Sequence, residues 1–133
     1  MGKPPESIVY EIDEQRNLVR LSFVGRIVME DVVSHMHRLL SDGRFRKGLN
    51  TLFDLTGAEL DVQSSEVWEL SRFVESIQDV RGACRWAVIA SDDTHFGMAR
   101  MFQMIAGEMM IKTEVFRNES DAMEWLEMDD APA

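Results

Sequence analysis

Short apolar runs and longer amphipathic stretches alternate along the chain. The apolar runs at 8–12 and 18–24 flank a polar turn at 13–17, and this pattern predicts a β-hairpin whose second strand ends at Gly25. Apolar and β-branched residues predict three further strands, at 51–55, 85–90 and 113–116. The run at 85–90 is apolar on both faces, which is typical of a central parallel strand.

Between these strands, apolar residues recur with the 3.6-residue period of amphipathic helices. Gly43 is expected to close the first helix in a left-handed conformation. The expected N-caps are Ser64 or Ser65 for the second helix and Asp92 or Asp93 for the third. The four predicted helices occupy residues 29–41, 64–79, 94–110 and 118–126.

The resulting order of elements, ββαβαβαβα, predicts the fold class. A hairpin followed by alternating helices and strands implies right-handed crossovers and a mixed, mostly parallel sheet. We therefore predict one α/β domain over residues 1–133, with loose termini at 1–7 and 128–133.

The third helix is rich in methionine, since five of the ten methionines of the chain lie between residues 94 and 110. On a helical wheel most of its apolar residues fall within an arc of roughly 140°, which predicts a buried face. That face consists of Met98, Met101, Phe102, Ile105, Ala106 and Met109. Phe96 and Met104 lie off this arc, and Trp68 lies on the polar face of the second helix. These three residues are the candidate partner or ligand surface.

The charge of the chain narrows its partners. Lys and Arg number 14 against 24 Asp and Glu, so the formal net charge is −10. This argues against binding to nucleic acid or to an anionic membrane. No apolar run approaches the roughly 20 residues that span a bilayer, and the N-terminus lacks the apolar core of a signal peptide. A cytoplasmic protein is expected, with its single cysteine, Cys84, in or near the core.

Three carboxylates are the only candidate metal ligands. Asp54, Asp92 and Asp93 follow two predicted parallel strands, at the edge of the sheet where ligands bind in open α/β folds. They are weak candidates for holding Mg²⁺, and the preferred interpretation is that they cap a helix and brace a turn. His95 beside Asp92 predicts an ion pair. No catalytic motif or phosphate-binding loop is present, so neither catalytic residues nor a cofactor are assigned.

With these elements, the segments FVGRIVMEDV, LFDLTGAEL and VFRNESDAMEWL resemble the SpoIIAA-like family. These are STAS-related domains, which are also grouped with Sec14-type lipid-binding domains. The resemblance extends from Ile8 to Leu126 and implies a single SpoIIAA-like domain.

In the related anti-anti-sigma proteins, a serine at the start of the second helix is phosphorylated in an Asp-Ser-Ser/Thr-Gly context. Ser64 and Ser65 lie near the equivalent place and are the candidate phosphorylation sites. However, Asp61 is not adjacent to a serine and no glycine follows Ser65, so the motif is degraded. A plain N-cap role is the preferred interpretation.

Three functions are considered, in order of preference. The first is a non-enzymatic STAS-like regulatory or protein-interaction module that binds a protein partner or itself as a homodimer. The second is a Sec14-like domain that binds a small apolar ligand or lipid, because methionine adapts to irregular ligands. The third is a metal-dependent phosphoryl-transfer enzyme or hydrolase that uses Asp54, Asp92 and Asp93.

Overall fold

A five-stranded sheet forms the centre of the computed structural model, which describes residues 8–128. The strands are β1 (Ile8–Asp13), β2 (Leu18–Val28), β3 (Asn50–Asp61), β4 (Cys84–Ile89) and β5 (Ile111–Phe116), and their spatial order equals their order along the chain. β1 pairs antiparallel with β2, and the other neighbours pair in parallel. The predicted hairpin and mostly parallel sheet are therefore confirmed.

Four helices cover the sheet: α1 (Met29–Leu40), α2 (Ser64–Arg81), α3 (Asp93–Ala106) and α4 (Glu119–Glu127). The three parallel connections step in one direction across the sheet, so right-handed crossovers place α1, α2 and α3 on the same face. α4 packs on the opposite face, where Ala122 and Leu126 join a smaller apolar cluster with Leu52 and Ile89. The single α/β domain predicted from the order of elements has this architecture.

The termini that were predicted to be loose, 1–7 and 128–133, lie outside the described residues except for Met128, which is exposed. None of the helices within residues 8–128 has the length and apolar character needed to cross a membrane.

β2 and β3 are much longer than their apolar runs predicted. Their pairing continues to Val28 and Asp61, past an irregularity between Ser22 and Val24. Gly25 was predicted to end the strand, which is wrong: it has φ +77° and lies within β2. Glycine tolerates this conformation, and the pairing with β3 runs through it without a break from Val24 to Val28. β4 pairs with β3 only as far as Asp54, so the last part of β3 has no strand on that side.

The end of α1 also differs from its prediction. Ser41 is the C-cap in a right-handed conformation, and Gly43 does not have a positive φ. The prediction of Gly43 as a left-handed cap is therefore wrong. The side chain of Asp42 accepts a hydrogen bond from the Arg44 amide at 2.9 Å, so a side chain stabilises the turn without a left-handed residue.

Candidate functional site

An apolar cavity lies between the sheet and the three helices on its first face. Its volume is about 100 Å³, and the side chains that line it are all aliphatic, aromatic or methionine. Six elements and the link between β3 and α2 contribute to the lining. It includes Phe23, Phe53 and Trp86 from the sheet and Met36, Leu70 and Phe102 from the helices.

Three aromatic side chains form the floor of the cavity across neighbouring strands. The ring of Phe53 in β3 lies 6.3 Å from that of Phe23 in β2 and 5.0 Å, edge to face, from that of Trp86 in β4. Trp86 is 2% exposed, which confirms its predicted place in the core. Sequence reasoning did not single out Phe23 and Phe53. The sequence signal that could have found them is a large aromatic residue at a strand position whose side chain points toward the core.

α3 forms a loosely packed roof over the cavity. Of its apolar residues only Phe102 is fully buried, whereas Met98, Met101, Ile105 and Ala106 are half-buried. The predicted buried face is therefore only partly buried, and the cavity lies beside two of its residues, Met98 and Phe102.

The end of α3 also corrects the prediction for the methionine-rich stretch. The helix was predicted to reach residue 110, but it ends at Ala106 and is followed by Gly107 with φ +59°. Met109 and Met110 consequently lie outside the helix. Glycine readily adopts this positive φ and thereby allows the chain to leave the helical path.

A histidine fastens the wall of the cavity to α3. The backbone N–H of Leu60, a lining residue, donates to Nε2 of His95 at 3.3 Å. Nδ1 of the same ring lies 2.7 Å from Oδ2 of Asp92. The predicted contact between His95 and Asp92 is therefore confirmed, whereas the contact with Leu60 was not anticipated.

The carboxylate of Asp92 also organises the start of α3. Its Oδ1 accepts a hydrogen bond from the backbone N–H of His95 at 2.8 Å, which confirms Asp92 as the N-cap. This backbone hydrogen bond is the main reason that the pKa of Asp92 is lowered from its ordinary value. Asp92 is therefore ionised throughout the neutral range.

The three candidate metal ligands are each engaged in structural contacts. Oδ1 of Asp54 accepts the Thr56 amide at 3.0 Å and the Thr56 hydroxyl at 2.7 Å, which confirms that it braces a turn. Arg20 contacts the other oxygen at 3.1 Å. Burial opposes ionisation of Asp54, but these hydrogen bonds and Arg20 outweigh it and lower the pKa.

Asp93 lies 2.9 Å from Arg117. Within residues 8–128, no three His, Cys, Asp or Glu side chains come together as a group that could hold a metal ion. Asp54 thus braces a turn, Asp92 caps a helix, and Asp93 forms a surface ion pair.

The two candidate phosphorylation sites are exposed at the first turn of α2. Neither Ser64 nor Ser65 caps the helix, so the predicted cap is wrong. Gln63 is the N-cap because β3 extends to Asp61, which leaves Gln63 as the last residue before the helical conformation. Its backbone carbonyl accepts from the Glu66 N–H at 3.0 Å, and the Glu66 carboxylate accepts from the Gln63 N–H at 2.9 Å.

Two of the three candidate surface residues are open to solvent. Trp68 is 56% exposed and Met104 is 75% exposed. Phe96 is half-buried, and the guanidinium of Arg117 lies 4.0 Å above the centre of its ring. The candidate surface is therefore reduced to Trp68 and Met104, because a cation–π contact covers Phe96.

Comparison with known proteins finds a solved structure with a similar fold. No protein-family model and no curated protein matches the sequence. The chain is similar to a crystal structure described as an uncharacterized protein of the DUF3478 family with a SpoIIAA-like fold, from Shewanella loihica PV-4. The identity is 18%, the TM-score is 0.62, and the match covers 95% of this chain and 98% of that chain. Together with the order ββαβαβαβα, this likeness shows that the chain has a SpoIIAA-like fold.

Proposed function

We propose that this domain is a non-catalytic, STAS-like binding module that holds a small apolar molecule between the sheet and α3. The observation that carries the proposal is the cavity of about 100 Å³ with its apolar lining. Ligand sites in proteins are concave and mostly apolar, and this cavity has that character.

The volume and lining define the class of ligand. An engineered cavity of roughly 150 Å³ lined by similar side chains stays dry and binds benzene or xenon. The present cavity is smaller, and its lining side chains offer no charged group to a polar ligand. It therefore fits a compact apolar molecule or the apolar end of a larger one, and methionines such as Met36 and Met98 can adapt to its shape.

The contacts of the polar residues support a non-catalytic role. A general base needs a ring nitrogen that is free to accept a proton from a substrate. Nε2 of His95 instead accepts the Leu60 amide. Asp54 and Asp92 are held by hydrogen bonds from the protein itself.

Dissolved xenon tests the cavity directly. We expect xenon to shift the NMR signals of lining methyl groups, such as those of Val67 and Leu70. Ala99→Leu adds apolar volume within the lining and should remove these shifts. Ala106→Leu makes the same change in the same helix outside the lining and serves as the matched control.

If xenon leaves the lining methyl groups unchanged in the wild-type chain, the cavity does not bind apolar molecules and the proposal fails. Native mass spectrometry of protein purified without detergent complements this test, because a molecule retained from the cell is detected by its mass.

A second candidate function is self-association through α3. The specific observation is the exposure of Met104, together with the lack of any acidic residue from Thr94 to Ala106. In a chain of net charge −10, two copies meet the least repulsion where acidic side chains are absent. The occupant that this surface fits best is therefore a second copy of the chain.

A further inference from the structure

The last part of β3 lacks a neighbouring strand on one side. β4 pairs with β3 from Thr51 to Asp54, and the pairing goes no further. At Leu60, a side chain rather than a strand carbonyl accepts the backbone N–H, and that acceptor is Nε2 of His95. This contact joins residues that are 35 positions apart in the chain.

The acceptor role depends on the protonation state of the ring. A neutral imidazole carries a proton on one nitrogen and accepts a hydrogen bond on the other, whereas a protonated imidazole only donates. Because Nε2 accepts from Leu60, the proton of neutral His95 is on Nδ1, which faces Asp92 at 2.7 Å. A second proton would place an N–H on Nε2, directly opposite the N–H of Leu60.

We propose that His95 is a pH-sensitive latch that fastens the end of β3 to α3 only while its imidazole is neutral. Leu60 belongs to the cavity lining and is half-buried, as are the neighbouring lining residue Val62 and the α3 residue Met98. Opening the latch therefore loosens the cavity where its wall approaches solvent. The latch stands on the geometry of His95, whereas its effect on a bound molecule rests on the proposed function.

The charges around His95 favour a local opening. The pKa of Asp92 is lowered, chiefly by the hydrogen bond from the His95 backbone, so Asp92 stays ionised and a charged ring keeps its partner at the start of α3. Asp93, the next carboxylate on this helix, pairs with Arg117 from the link that follows β5.

On β3, the carboxylates that flank Leu60 are directed elsewhere or exposed. Asp61 pairs with Arg26 at 2.5 Å, and Glu59 is exposed. Protonation consequently removes the contact of His95 with β3 and leaves its contact with Asp92 in place.

NMR of the whole chain tests the latch, with the pH varied from about 8 to 5 across the usual range of imidazole titration. We expect the Leu60 amide signal to move with the same midpoint as the ring signals of His95, and its proton to exchange faster with solvent at low pH. His95→Gln replaces the imidazole with an amide whose oxygen accepts at every pH. In this variant the Leu60 signal should not titrate.

His37→Gln is the matched control. His37 is exposed on α1 and lies edge to face against Phe73, so its loss should leave the pH response of the Leu60 amide signal intact. The latch is overturned if the Leu60 amide signal does not follow the ring signals of His95 with pH, or if it changes equally with pH in His95→Gln.

Xenon binding measured over the same pH range tests the consequence for the cavity. Loss of one hydrogen bond at the wall is expected to weaken binding by about threefold to tenfold at low pH, and His95→Gln should remove this dependence. Equal xenon affinity at both pH values overturns the link between latch and cavity. A wild-type chain that binds no xenon at any pH refutes the proposed function instead, while the Leu60 titration still decides the latch.

Discussion

At the scale of single residues, Arg81 is the most unusual side chain in the core. It is 3% exposed, and no carboxylate among residues 8–128 forms an ion pair with it. Its guanidinium lies 5.3 Å from the ring centre of Phe45 and 5.2 Å from that of Trp86, so aromatic faces take the place of an acidic partner.

Neutral oxygens complete the surroundings of this guanidinium. It donates to the carbonyl of Leu49 at 3.2 Å and to the hydroxyl of Thr51. Burial disfavours the charged form of both Arg81 and the neighbouring Cys84. It therefore lowers the pKa of Arg81 and raises the pKa of Cys84. Cys84 is buried as predicted.

Substitution of Arg81 separates its packing from its charge. We expect Arg81→Ala to lower the free energy of unfolding by about 2–5 kcal/mol, because it leaves a void and two unsatisfied acceptors. Arg81→Met keeps the apolar stem and removes a buried charge, so its cost should be less than half as large. Urea denaturation of both variants measures this difference. Equal costs would show that the charge, not the packing, stabilises the core.

At the scale of secondary-structure elements, the turn from α2 to β4 depends on one glycine. Gly82 has φ +75° and ψ 179°, a conformation that other residues rarely adopt. A Cβ atom at this position would lie 2.6 Å from Cγ of Lys47 and 3.3 Å from the backbone N of Gly48. The same segment is tied down by a hydrogen bond from the Gly48 N–H to the carbonyl of Arg81 at 2.7 Å.

Two alanine substitutions distinguish this turn from the end of α1. Gly82→Ala should destabilise the protein by about 1–3 kcal/mol, because strain and a steric conflict coincide. Gly43→Ala should be neutral or stabilising by up to about 1 kcal/mol, since its Cβ meets nothing within 4 Å and its φ is not positive. Thermal and urea unfolding of the pair test this order. If Gly43→Ala is destabilising, this result would instead support the left-handed cap predicted from the sequence.

At the scale of the whole molecule, charge and exposed apolar surface are unevenly distributed. The net charge is −10, and α2 alone carries four acidic residues, Glu66, Glu69, Glu75 and Asp79. α3 carries one acidic residue, Asp93 at its first position, and two basic ones, His95 and Arg100. Among residues 8–128, the most exposed large apolar side chain is that of Met104, which lies on this least acidic helix.

Self-association can be tested by placing a charge on this surface. We expect the wild-type chain to sediment as a dimer and Met104→Lys to weaken the association by about tenfold or more, as for a buried anchor residue. Met128→Lys is the matched control, because Met128 is 57% exposed and follows α4, which packs on the other face of the sheet. Both substitutions reduce the net negative charge, so weaker association in Met104→Lys alone identifies the contact. A monomeric wild-type chain, or a dimer that Met104→Lys leaves intact, contradicts this candidate function.

The sequence by itself determined the order of elements, the hairpin, the parallel sheet and the place of Trp68 and Met104 on the polar faces of their helices. These follow from the periods of helices and strands, which are set by neighbouring residues and can be read locally. It misplaced ends where a glycine has more than one role: Gly25 pairs with Ala58 inside β2 rather than ending the strand, and Gly43 is not left-handed.

Only the tertiary structure decided where the chain leaves space and which distant groups meet. The cavity arises because side chains from six elements do not fill the volume between the sheet and α3, and no local pattern encodes such a mismatch. The contact of His95 with Leu60 exists because β4 ends before β3 does, which leaves a backbone N–H that only a distant side chain satisfies. Strand lengths and residual volumes are thus properties of the packed molecule, and the candidate site depends on both.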